Sequence, residues 1–116
     1  MKPEVRFHIR DGAKQRTELA IGPGKVALLE AIAQTGSITW SAKKLRMSYR
    51  RAWLLVDTMN RCFREAVVSS ATGGTGGGGA EVTAFGRQVI GRYRSMQARV
   101  DRALDPELEK FSALLK

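Results

Sequence analysis

The chain has 116 residues, 43% of them hydrophobic and 27% charged, which suits one soluble domain with a small core. Twenty Lys and Arg against eleven Asp and Glu leave a net charge of +9, a surplus that favours a polyanionic partner, most often nucleic acid. The single Cys62 excludes an intramolecular disulfide and a Cys-cluster metal site, and no apolar run is long enough for a membrane span or a secretory signal, so a reducing cytoplasm beside the nucleoid is expected.

Glu4 to Arg10 alternates, with Val5, Phe7 and Ile9 on one side and Arg6, His8 and Arg10 on the other. A period of two predicts a half-buried strand. Asp11-Gly12 is a turn signal, and Leu19 and Ile21 mark a returning strand. Such a ribbon, residues 1–22, is marginal alone and must pack on helices or on another subunit. His8 falls on the polar face without a second His, so no metal is expected there. Gly22-Pro23-Gly24 breaks the ribbon. From Lys25 to Thr35, Val26, Leu28, Leu29, Ile32 and Ala33 recur at helical spacing, and Gly36 suits the left-handed position that ends a helix.

Gly36 to Asn60 reads as two helices joined by a tight turn. Ser37 is the N-cap of the first, which runs to about Leu45, and Ser48 caps the second, which runs to Cys62 or Phe63. This is the outline of a helix-turn-helix, whose second helix enters the major groove with its first turn at the base edges. Ile38, Ala42 and Leu45 line the inner face of the first helix; Trp40, Ser41, Lys43 and Lys44 fall on the other side. In the second, Ala52, Leu55, Val56, Met59 and Phe63 make the buried stripe, and Tyr49, Arg50, Arg51 and Trp53 lie off it or at its margins. An exposed arginine on that first turn suits the two acceptors of guanine. Trp53 either packs against Trp40 or contacts thymine methyls and sugars.

Ala66 to Ala71 is short and β-prone, and ATGGTGGGGAEVT follows it. A β-run, a small-residue loop and a second β-run after a helix-turn-helix predict a wing, about residues 66–83. Its candidate backbone contacts are Thr72, Thr75, Gly76, Gly77 and Gly78. The glycine run lacks the GK[ST] ending of a phosphate-binding loop. Thr83 caps a further helix, with Val89, Tyr93, Met96 and Val100 at spacings of four, three and four. That spacing marks either the seam of a helix pair or three turns of bundle core, and self-association is the favoured reading. Pro106 should end or kink this helix, leaving Leu108, Phe111, Leu114 and Leu115 as a last short amphipathic segment.

GSI at Gly36–Ile38, SYRRAW at Ser48–Trp53, the Met59-Asn60 pair and ATGGTGGGGAEVTAFG at Ala71–Gly86 together carry a resemblance. From about Gly24 to Ala103 the chain resembles the N-terminal DNA-binding domain of the ModE-type molybdate-responsive repressors, relatives of the LysR-type winged helix-turn-helix proteins. The resemblance implies a recognition helix opened by Ser48, Tyr49, Arg50 and Arg51, a wing over Gly73 to Gly79, dimerisation through the helix that Thr83 starts, and a palindromic operator. It also implies C-terminal oxyanion-binding domains, for which this sequence, ending at Lys116, leaves no residues.

The expected fold is therefore mainly α with a small β wing, as a single domain. A winged helix-turn-helix (23–83) follows the N-terminal ribbon and precedes a long dimerisation helix and C-terminal segment (84–116). The expected function is sequence-specific transcriptional regulation by a homodimer on double-stranded DNA, with Ser37, Trp40, Lys43 and Lys44 supporting the recognition helix. No cofactor, metal or bound small molecule is expected. The competing classes are an architectural nucleic-acid binder and a winged-helix protein-interaction module. An enzyme is disfavoured, because one His, no Cys–His pair and scattered acids supply no catalytic constellation.

Overall fold

A computed structural model describes residues 6–11, 16–71 and 79–116. The order of elements is β1 (Phe7–Asp11), β2 (Arg16–Ile21), α1 (Pro23–Thr35), α2 (Ile38–Lys44), α3 (Tyr49–Cys62), β3 (Val68–Ala71), β4 (Gly79–Val82) and α4 (Ala84–Ser112). β1 pairs with β2 and β3 with β4, both antiparallel, as two separate sheets. This is a winged helix-turn-helix with a long C-terminal helix.

The ribbon is not a strict alternation. Phe7 pairs with Ile21 but His8 with Leu19, so Ala20 is an extra residue in β2. A bulge of this kind re-aims neighbouring side chains, and Ala20 and Ile21 are both buried. The Nζ of buried Lys25 donates to the Leu19 carbonyl and ties the end of β2 to α1. Val5 and Gly12 lie outside the described residues.

α1 starts two residues earlier than the sequence pattern suggested. Pro23 opens the helix instead of only breaking the ribbon, since a proline in the first turn forfeits no helical hydrogen bond and is already set at a helical φ. Gly36 closes the helix at φ 68°, and its N–H donates to Ile32 O over 2.8 Å. Val26, Leu28, Leu29 and Ile32 are at most 1% exposed and form the centre of the core. Around them pack Ala42 of α2, Ala52, Val56 and Met59 of α3, Val67, Val68, Ala80 and Val82 of the wing base, and Tyr93 of α4. The small side chain of Ala42, 2% exposed, allows the close crossing expected of it.

Three expectations need correction. Ser41 does not face outward: it is fully buried, donates from Oγ to Ser37 O over 2.7 Å, and sits 2.9 Å from Thr35 Oγ1. A hydroxyl can be buried when the neighbouring turn supplies partners. Tyr93 is 2% exposed, so it belongs to the core of its own chain, and of the two readings of its spacing, bundle core fits it better than an exposed seam. Pro106 does not end α4, which continues to Ser112. The carbonyl that proline leaves without its helical donor is that of Arg102, an exposed residue, where water can replace the missing N–H.

Candidate nucleic-acid interface

The turn between α2 and α3 sets how the two helices meet. Arg46 adopts φ 58°, the only non-glycine residue with positive φ among those described. Its N–H donates to Lys43 O (3.2 Å) and that of Met47 to Ala42 O (2.9 Å). This pair of bonds satisfies the last carbonyls of α2 and reverses the chain in two residues. A left-handed backbone costs an L-residue roughly 1–2 kcal/mol, so the tight turn holds Arg46 in a strained conformation. Ser48 then caps α3 by accepting the Arg51 N–H at 3.1 Å, as Ser37 caps α2 by accepting that of Trp40 at 3.1 Å. Each hydroxyl keeps its own proton free to donate outward.

With Ala52, Val56 and Met59 turned into the core, the opposite face of α3 is open. Tyr49 is 54% exposed and Trp53 47%, and Arg50, Arg51 and Leu54 lie beside them in solvent. On α2, Trp40 is 59% exposed, and the Lys43 ammonium lies 4.7 Å above its ring. Lys44 Nζ donates to Gln34 Oε1 at 2.6 Å. Trp40 and Trp53 form no ring contact, since the aromatic pair observed is Phe63 with Phe85. Trp53 therefore does not pack on the Trp40 ring, and it stays about half exposed.

A cleft of about 350 Å³ separates α3 from the wing base. Tyr49, Trp53, Asp57 and Asn60 supply its helical wall; Ser69, Ser70 and Ala80 supply the strand wall. Asp57 is engaged with Arg61 one turn on, at 3.1 Å. Asn60 was noted in the sequence only as part of a matching pair, and its structural role was missed. Its Oδ1 accepts from Val67 N (2.8 Å) and Val68 N (3.3 Å), and its Nδ2 donates to Val68 O (3.0 Å). One amide thus holds the first wing strand against α3. A polar residue beside fully buried Met59, on the margin of an apolar stripe, was the available signal. β4 is anchored from the other side, where Ala80 N donates to Gly36 O at 3.0 Å. The wing tip, with Thr72, Thr75, Gly76, Gly77 and Gly78, lies outside the described residues.

α4 is fixed to this platform at its start. Thr83 accepts from Gly86 N at 2.9 Å and donates to Ala66 O at 2.6 Å, which makes one hydroxyl the cap of α4 and the clasp of β3. Further along, Arg94 forms an ion pair with Glu30 of α1. Its guanidinium pKa is raised above the usual arginine value, chiefly by that hydrogen bond, with desolvation opposing. The four residues placed on a subunit seam are divided. Val89 packs partly and Tyr93 fully against the core, while Met96 and Val100 stay accessible. Among the described residues, no cluster of three or more His, Cys, Asp or Glu is arranged to hold a metal, and no helix is long and apolar enough to cross a membrane.

No family model matches the chain. Individual relatives do match. Over 108 residues it is 36% identical to the molybdenum transport protein ModE of Azotobacter vinelandii, covering 93% of this chain and 40% of the relative. It is 41% identical over 90 residues to the molybdenum-pterin-binding protein MopB of Rhodobacter capsulatus, covering 78% and 33%. The DNA-binding transcriptional dual regulator ModE of Escherichia coli is 37% identical over 92 residues, covering 79% and 35%. The chain thus spans two fifths or less of the length of these relatives.

Proposed function

With homology to the ModE-type transcriptional regulators over most of its length as the premise, we propose that this chain is a sequence-specific DNA-binding regulator. It places α3 in the major groove and the wing on the adjacent backbone, and binds a palindromic operator as a homodimer through α4. One observation carries the reading. The first turn of α3 presents Tyr49, Arg50 and Arg51 to solvent, with Trp53 behind them, between a basic α2 and a wing base clasped to the same helix. Arg50 and Arg51 are the base-edge candidates, because a guanidinium matches the O6 and N7 of guanine. Trp53 and Tyr49, walling the α3–wing cleft, suit thymine methyls and sugars. Ser37, Ser48, Lys43 and Lys44 suit phosphates, as do Thr72, Thr75 and Gly76 to Gly78 at the wing tip.

Selection of bound sequences from random DNA, with and without molybdate, tests the proposal. A two-fold symmetric site is expected, and the molybdate arm reads any effector response. Arg50→Ala should lower the ratio of operator to random-DNA affinity by about 5- to 150-fold for each half-site, the equivalent of roughly 1–3 kcal/mol for each bidentate contact, and the dimer loses that contact twice. An equal fall in both affinities would mean an architectural binder. No retardation of any DNA near physiological salt would favour a protein-docking role.

A further inference from the structure

The exposed apolar side chains are not spread evenly. Among the described residues, apart from Phe7 and the stretch from Met96 onward, every exposed large hydrophobic side chain lies on α2 or α3: Trp40, Tyr49, Trp53 and Leu54. A single exposed leucine is ordinary on a protein surface, but these four share the helix-turn-helix. The three aromatic ones each carry a polar N–H or O–H. Leu54, 46% exposed, is wholly aliphatic and offers a ligand nothing but apolar contact.

Its direction on α3 follows from the core residues of the same helix. Leu54 is two positions after Ala52 and two before Val56, both buried, so at 3.6 residues per turn it points about 160° away from each. Its neighbour Leu55 packs against the core instead. Arg50, two positions before Ala52, and Arg61, two after buried Met59, bear the same relation to the interior. Arg50, Leu54 and Arg61 therefore form one line on the face turned farthest from the core, with Asp57 beside it and engaged with Arg61 at 3.1 Å. An aliphatic group in a line of charges does nothing for the packing of the single chain. On a helix facing the major groove it has one match among the base edges, the C5 methyl of thymine. From Arg50 to Leu54 the helix rises about 6 Å, close to two base steps of about 3.4 Å each.

Resting on the DNA-binding reading above, we infer that Leu54 is a specificity-determining residue that reads a thymine methyl, within about two base pairs of the guanine assigned to Arg50. Arg50 then recognises a G·C pair by hydrogen bonds, and Leu54 a T·A pair by apolar contact, from the same face of α3.

Deoxyuridine tests this, because it keeps the pairing of thymine and lacks only the methyl. Each thymine of the selected operator is replaced in turn, in both half-sites at once, and affinity is measured for the wild type and for Leu54→Ala. The wild type should lose affinity at one thymine per half-site, by about four-fold for each methyl taken out of contact. Leu54→Ala should bind the thymine operator more weakly by a similar factor and no longer distinguish thymine from deoxyuridine at that position. Its denaturation midpoint should stay unchanged, since the side chain is exposed. A wild type indifferent to every replacement overturns the inference, as does a Leu54→Ala chain that keeps the full distinction. A distinction that survives Leu54→Ala and disappears in Trp53→Ala assigns the methyl to Trp53 and overturns it too. In each case the DNA-binding reading stands if Arg50→Ala still changes the operator-to-random ratio. A chain that retards no DNA overturns both.

Discussion

Arg46 shows how one residue serves two opposed demands. The α2–α3 turn needs a left-handed residue, and glycine would adopt that conformation at no steric cost. The chain has arginine there, at φ 58° and exposed just before α3. Arg46→Gly should therefore stabilise the fold by about 1 kcal/mol, the relieved left-handed strain less the added freedom of glycine in the unfolded chain. Denaturant melting would measure it as a raised midpoint at constant slope. The same variant should bind DNA more weakly, since a cation at the edge of the interface is lost. A stability gain with unchanged DNA affinity would mean that Arg46 contacts no phosphate. Arg94 provides a contrast, as its pair with Glu30 is half exposed, 49% and 38%. Removing it should cost only about 0.2–1 kcal/mol.

Among the elements, the wing base depends most on close backbone approach. A Cβ added at Gly86 would lie 2.2 Å from Val67 O and 2.8 Å from Val82 Cγ1. Since α4 and the wing strand must separate to admit it, Gly86→Ala should destabilise the protein by roughly 1–3 kcal/mol, read as a fall in the denaturation midpoint. Gly91→Ala, with nothing within 4 Å, is the matched control and should be neutral or slightly stabilising. The difference between these two glycines was invisible in the sequence, because both sit in the same helical pattern and only the tertiary approach of Val67 and Val82 separates them. Caps were legible: Ser37, Ser48, Thr83 and Gly36 each do what their residue type and position imply, since capping depends on neighbours within a few residues. So was the open first turn of α3, because its apolar stripe has a strong 3.6-residue period. The interior of Ser41, the clasp of Asn60 and the burial of Tyr93 were not legible. Each depends on partners supplied by a turn or by another element, and periodicity alone treats an apolar position facing its own core and one facing a partner as equivalent. At Pro106, of the end or kink expected, the end does not occur, because the freed carbonyl belongs to an exposed residue.

For the whole molecule, with its net charge of +9, the salt response of the proposed DNA binding is set by how many phosphates its cations neutralise, and different cations contribute in separable ways. Each phosphate neutralised on duplex DNA releases counterions and adds about 0.9 to the slope of log affinity against log salt. Lys43, held over the ring of Trp40, is exposed on α2, and the proposal assigns it to phosphates rather than to base edges. Lys43→Ala should weaken operator and random DNA by the same factor and leave their ratio intact, whereas Arg50→Ala should change the ratio. The size of the slope change then reports assembly on DNA. A single chain losing one phosphate contact should lose about 0.9 from the slope, and a symmetric dimer, which loses the contact twice, about 1.8. Fluorescence anisotropy titrations across a range of salt concentrations would give both quantities from one variant. A changed operator-to-random ratio for Lys43→Ala would place that lysine at a base edge and α2 deeper in the groove than its exposed face implies. A slope change near 0.9 on a palindromic site would mean that only one subunit engages the DNA through α2.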